Sequence, residues 1–405
     1  MLYRTARAIF LPVIVYVFIF AGPVTAGSLA AEKSAAGDAP KSGASGTRVD
    51  DADDAPGRKL PQLQPGKWET LFEMGESIYP SVVISTATLK NGLWDDGRHL
   101  GDPWGTIGIV VRGIEKDCPV TVEISGGNFI GPSVFTGTLP DKDAIYCIYP
   151  ELKYDYEKLL AVKQTIPEAL SFKVRIGSKQ EPEKIARVQV RPINECVYNF
   201  ADSSGSINDV SFFFAAYVNE NHPIISQILK EAIDSKRVDS FSGYSGEKED
   251  VMAEVKAVWA ALKKRGLHYS TITASADDDN PYISSQYVRL LGESINYTQA
   301  NCVDGSVLMA SIFRKIGLNV SLIELPDHMF LSVSLDEEGK EMVFIETTIL
   351  GSGDLDEAMD EGRTQYTENK DKFDSKKEDE QAYNIINIQD ARVLGIMPIK
   401  DSSAN

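Results

Sequence analysis

The chain is poor in the residues that most often announce chemistry. Its 405 residues include only four cysteines, four histidines and four tryptophans. The histidines are His99, His222, His268 and His328, and no pair has metal-ligand spacing, so no metal site is expected. Glycine-rich phosphate loops and dinucleotide fingerprints are missing, and no cofactor is implied. Basic residues are in deficit, with 41 Lys and Arg against 59 Asp and Glu and a net charge of −18. Phosphate binding needs clustered Lys and Arg, so nucleic acid is excluded as a partner and anionic lipid is disfavoured. The acidity reads as a solubility device. Long apolar runs are scarce too. One stands out, residues 8–22, preceded by Arg4 and Arg7 and followed by Val24-Thr25-Ala26. That is the layout of a secretory signal over 1–26. The run is shorter than the ~20 residues a spanning helix needs. The expected location is periplasmic or secreted, with no stable membrane span after signal removal. An uncleaved inner-membrane anchor is the alternative.

Export permits disulfides. The cysteines are Cys118, Cys147, Cys196 and Cys302. With Cys302 free, one bridge can form among the other three in three ways, and spacing does not choose among them.

Residues 27–64 are rich in Ala, Gly, Ser, Asp and Lys, without hydrophobic period, and read as a flexible linker. Over 65–205 the pattern is strand-like. Val120, Val122 and Ile124 alternate with Thr121 and Glu123, and Phe172, Val174 and Ile176 with Lys173 and Arg175. Val188 and Val190 alternate with Arg187 and Gln189, and residues 81–89 and 106–111 are further β-rich runs. Period two with turns between predicts an antiparallel, Ig-like β-sandwich, with a short helix inside 154–165. From 206 to 400 the pattern is α+β. Ile225, Ile228, Leu229, Ala232 and Ile233 share a helical face, as do Val251, Val255, Val258, Trp259 and Leu262, and Gly266 can end the second helix. Residues 268–273 read as a strand, 282–291 as a helix, 354–380 as a solvated helix and 383–388 as a last strand. Asp277-Asp278-Asp279 lacks EF-hand spacing and reads as an acidic surface loop rather than a calcium site.

The segment from Asn301 carries chemistry. Asn301 is a good N-cap with Asp304 three residues on, as in a capping box. Cys302 then occupies the first helical turn, where the dipole favours thiolate. Asp304 opposes that effect. Gly317 ends the helix. A strand over 320–325, a Pro326-Asp327 turn, a strand from His328 to 335 and a third over 342–347 follow. His328 opens one strand and Glu346 closes its neighbour, so the two can be cross-strand neighbours. A carboxylate beside an imidazole fixes its tautomer and stabilises the imidazolium.

The stretches NCVDGSVLMASIFRKIGLN, PDHMFLSV and FIETT, with SQYVRLLGESI upstream and ARVLGIMPI downstream, resemble a bacterial branch of the transglutaminase-like, papain-type thiol superfamily. The resemblance covers roughly 206–400, and an exported β-sandwich is associated with this branch. It implies Cys302 as nucleophile, His328 as general base and Glu346 as the acid, where many relatives have Asp. Gln286 is implied to help bind substrate or an oxyanion. Asp327 and Met329 depart from the usual neighbours of the histidine. Asp327 is expected to raise the imidazole pKa, and Met329 to narrow the cleft. The implied activity is a thiol hydrolase or acyltransferase acting on protein or peptide amides. The alternative is a catalytically silent binding module of the cell envelope.

Overall fold

The computed structural model describes residues 61–89, 92–93, 97–202, 205–271, 282–373 and 382–401. The expected signal 1–26, the linker before 61 and the acidic run 277–279 lie outside the described residues. The chain is mixed α+β with several sheets.

The alternating runs of the first half form strands. Cys118–Gly126 pairs antiparallel with Ile130–Leu139 on one side and Ile166–Ile176 on the other. Lys184–Val190 extends this sheet. A second sheet contains Trp68–Phe72, Ile107–Arg112, Ile145–Tyr149 and His99–Gly101. The apolar faces of both sheets meet in one core. Phe72 from one touches Phe172 from the other edge to face, with centroids 5.9 Å apart. Each large side chain buried this way contributes about 1.5–3 kcal/mol.

Three features differ from the sequence expectation. The β-rich run 81–89 is a helix, Pro80–Thr86. Pro80 pre-sets its first turn, and five of its residues are buried, so the run has no solvent face to give period two. The pairing is not purely antiparallel: His99–Gly101 runs parallel to Ile145–Tyr149, and Ser77–Ile78 parallel to Lys184–Val190. No disulfide forms, because Cys118, Cys147 and Cys196 are buried thiols in three separate cores.

In the second half, Glu195–Ala201 pairs with Ile207–Asp209 and with Ile283–Tyr287. Residues 283–287 were expected to be helical. They are a strand, because the open edge of Glu195–Ala201 takes up their backbone groups. The helix starts later, at Leu291–Tyr297. The two striped helices are Pro223–Asp234 and Lys248–Lys264, the second followed by Gly266 at φ 76°. Their apolar faces join the core around the long helix Cys302–Ile316.

That helix lies on a four-stranded antiparallel sheet, in the order Met342–Ile345, His328–Ser334, Val320–Leu325, Asn384–Asn387. Met329, Leu331 and Val333 face the Cys302 helix. Ile323, Phe330 and Phe344 face the opposite helix, Leu355–Phe373, through Tyr366 and Phe373. Two glycines let both helices lie close to the segment that carries Glu346. A Cβ on Gly305 would stand 2.8 Å from Thr347 Oγ1, and one on Gly362 would stand 2.7 Å from the Phe344 carbonyl carbon. Among the described residues no helix is long and apolar enough to cross a membrane.

Candidate active site

The start of the Cys302 helix is fixed by reciprocal capping. Asn301 Oδ1 accepts the Asp304 N–H at 2.8 Å, and Asp304 Oδ2 accepts the Asn301 N–H at 3.0 Å. Asp304 is fully buried. Its carboxylate also accepts the Arg289 N–H at 2.7 Å and the Arg289 guanidinium at 2.6 Å. The negative charge expected to oppose the helix dipole is therefore matched by a buried positive one. Burial pushes the Asp304 carboxyl up, against the bonds from Asn301 and Arg289 that hold it down. Cys302 follows the cap with its side chain partly exposed. Its carbonyl accepts from Ser306 Oγ at 2.7 Å and from Thr347 Oγ1 at 3.3 Å, tying the first turn to the segment after the third strand.

His328 sits directly after Asp327, which takes the left-handed φ of 60° and closes the two-residue turn. Its ring stacks on Phe330, two residues along the same face. The ladder between the second and third strands ends at Leu331 opposite Ile345. Glu346 is thus not directly across from His328. It caps a short 3-10 turn, Thr347–Ile349, and its carboxylate reaches back diagonally to His328 Nε2 at 2.6 Å. The other oxygen accepts from Thr348 N at 2.9 Å and Thr348 Oγ1 at 2.6 Å. Gln365, from the opposite helix, donates to Glu346 Oε2 at 3.2 Å. Every face of this buried carboxylate is engaged.

With Nε2 taken by Glu346, Nδ1 is the ring nitrogen left for Cys302, which acts on the imidazole electrostatically. Burial works to lower the His328 pKa. Cys302 and Glu346 outweigh it and push the pKa up to about 10. Burial likewise works to raise Glu346, but His328 and Thr348 hold it below the ordinary carboxylate value. Near neutral pH the imidazolium is the favoured form.

The structure brings Cys302, His328 and Glu346 together. It does not bring Gln286 to them: that side chain donates to the Tyr287 carbonyl at 2.9 Å, within its own strand. Met329, expected to narrow the cleft, is 1% exposed and belongs to the core against the Cys302 helix. Strand alternation turns it away from the His328 face. Tyr269 is a site residue that the sequence reading missed. His268–Tyr269 pairs parallel with Gln299–Ala300, immediately before the Cys302 helix. Tyr269 is 44% exposed, and its hydroxyl is pushed up in pKa by burial and by the charges of Cys302 and Glu346. A two-residue parallel pairing leaves no pattern in the sequence. Gln365 was missed too, on a helix whose exposed face looked merely solvated. Among the described residues no group of three or more His, Cys, Asp or Glu is arranged to hold a metal ion.

No family profile matches the chain, and no curated protein does. Among solved structures, the periplasmic domain of TgpA from Pseudomonas aeruginosa is similar at 10% identity, over 76% of this chain and 99% of that one, with a TM-score of 0.21. A likeness that low carries no argument about function.

Proposed function

We propose that the chain is an exported, transglutaminase-like thiol enzyme acting on protein or peptide amides, with Cys302, His328 and Glu346 as its catalytic set. One observation carries the reading: an imidazole held by a buried carboxylate through one nitrogen, with a thiol at the start of a helix beside it. This arrangement supports nucleophilic attack, because the base is oriented by a third group and the nucleophile stands beside it. His328 already holds the proton as imidazolium, and Cys302 Sγ attacks the amide carbonyl carbon as the thiolate of this ion pair. The Cys302 N–H, at the start of the helix, faces the developing oxyanion. The C–N bond then breaks, the imidazolium hands its proton to the leaving amine, and a thioester remains. Water releases an acid from it, or a second amine releases a new amide. In this reading the two sheets of the first half form the Ig-like sandwich, a recognition or spacer module, and the protein works in the periplasm or outside the cell.

The test is a mild alkylating probe at neutral pH. Fast, selective labelling of Cys302 that slows in His328→Ala supports the reading. Labelling as slow as that of a buried thiol, and unchanged in His328→Ala, would remove the enzyme and leave a silent binding module.

A further inference from the structure

Far along the chain from Cys302, a cleft of about 640 Å³ opens where the first half meets the helix Pro80–Thr86. Its size is that of a small-molecule site. Trp104, Phe135, Tyr154 and Tyr156 contribute aromatic walls, and Asp102 and Glu151 contribute two carboxylates. No lysine, arginine or histidine is among its described lining residues. Trp104 is anchored by packing against Phe212 and Phe213, with centroids 6.3 and 6.1 Å away. Asp102 is oriented by one bond, the Trp104 N–H to Oδ1 at 2.9 Å. Neither Asp102 Oδ2 nor the Glu151 carboxylate has a hydrogen-bond or ion-pair partner among the described residues.

Half-buried Asp102 and exposed Glu151 repel each other beside the aromatic rings. Burial and Glu151 both push the Asp102 carboxyl up. Burial and Asp102 push both tyrosine hydroxyls up, and Glu151 adds to the effect on Tyr156. A bound cation would relieve all of these repulsions at once. A hard metal ion fits poorly, since six or more oxygen ligands are its norm and two carboxylates among ring faces do not supply them. An organic ammonium ion fits well: ring faces attract it, and the carboxylates accept its N–H groups.

We propose that this cleft binds an organic ammonium group, the end of a lysine side chain or of a free diamine, between the aromatic walls and the Asp102 and Glu151 carboxylates. The site stands whether or not Cys302 is a nucleophile.

The full chain is titrated by calorimetry and saturation-transfer NMR with 1,5-diaminopentane and with a lysine-containing peptide. The neutral 1,5-pentanediol and calcium chloride are the controls. Saturable binding of an ammonium ligand that weakens with salt is expected, and the tighter of the two ligands identifies the source. Glu151→Gln should weaken it about threefold to tenfold, and Asp102→Asn with Glu151→Gln more than about thirtyfold. Asn keeps the acceptor for the Trp104 N–H, so the fold is retained. Tyr156→Leu, at a ring 43% exposed, should weaken binding without lowering the melting temperature. The surface pair Glu337→Gln with Glu338→Gln should leave it unchanged. Four results would overturn the proposal: no ammonium binding, equal binding of the diol, displacement by equimolar calcium, or full binding by the double variant.

Discussion

Acids are treated in opposite ways in two regions of this molecule. Around Cys302, two buried acids have basic partners: Asp304 meets Arg289 at 2.6 Å, and Glu346 meets His328 at 2.6 Å. In the cleft between the sheets and the helix Pro80–Thr86, Asp102 and Glu151 line a wall with no base among its described residues. A paired acid holds its neighbours in place and is already satisfied. An unpaired pair of acids is an electrostatic debt that a ligand can discharge. Perturbed carboxyls mark both regions, yet only their partners separate internal support from readiness to bind.

The contrast is broken most severely at Arg289. Arg289→Ala removes the guanidinium from fully buried Asp304, leaving it only backbone N–H partners, and should cost about 3–5 kcal/mol in denaturant unfolding. A loss under 1 kcal/mol would mean that the buried charge finds another partner. Next in size is the reactivity of Cys302. His328→Ala should slow its alkylation by about a hundredfold at neutral pH, the effect of losing a positioned base. Gly305→Ala comes third. The added methyl meets Thr347, so stability should fall by about 1–3 kcal/mol, and Cys302 labelling should slow with it.

A pH titration sharpens the same comparison. Folding raises the His328 pKa, so its contribution to stability is complete below the ordinary value of 6.5 and disappears as pH climbs through about 10. Folding lowers the Glu346 pKa, so its contribution is complete above 4.5 and disappears as pH falls. The stability difference between the wild type and His328→Gln should therefore peak between about 4.5 and 6.5 and shrink on both sides. A difference that keeps growing above pH 8 would contradict the imidazolium–carboxylate pairing. The smallest effect lies in the cleft. Asp102→Asn with Glu151→Gln should raise stability by about 0.5 kcal/mol in thermal melts, because repulsion is removed and no pair is broken.

Much of the second half was legible in the sequence because its signals are local. Asn301 and Asp304 announce a helix start, Gly317 a helix end, and Pro326-Asp327 a two-residue turn. The structure has its elements at those residues, Cys302–Ile316, Val320–Leu325 and His328–Ser334. The order of Cys302, His328 and Glu346 was legible as well. Their distances were not, since the diagonal reach of Glu346 depends on where the ladder stops. What stayed hidden depends on distant partners. Ile283–Tyr287 is extended because Glu195–Ala201 lies open beside it, and Pro80–Thr86 is helical with five of its seven residues buried by distant parts of the chain. Arg289 was one basic residue among many until Asp304 appeared next to it. The walls of the cleft come from four separate stretches of chain, each unremarkable alone.

Gly305 and Gly362 have a further consequence. They press on the Glu346 segment from opposite sides, each at a point where a methyl group has no room. The segment is gauged between two flat jaws, and the thickness of a bare peptide sets how far the carboxylate stands from the ring. A search for this kind of centre that looks only for a thiol, an imidazole and an acid therefore omits half of the specification. The two positions without side chains fix the dimension that lets the other three meet.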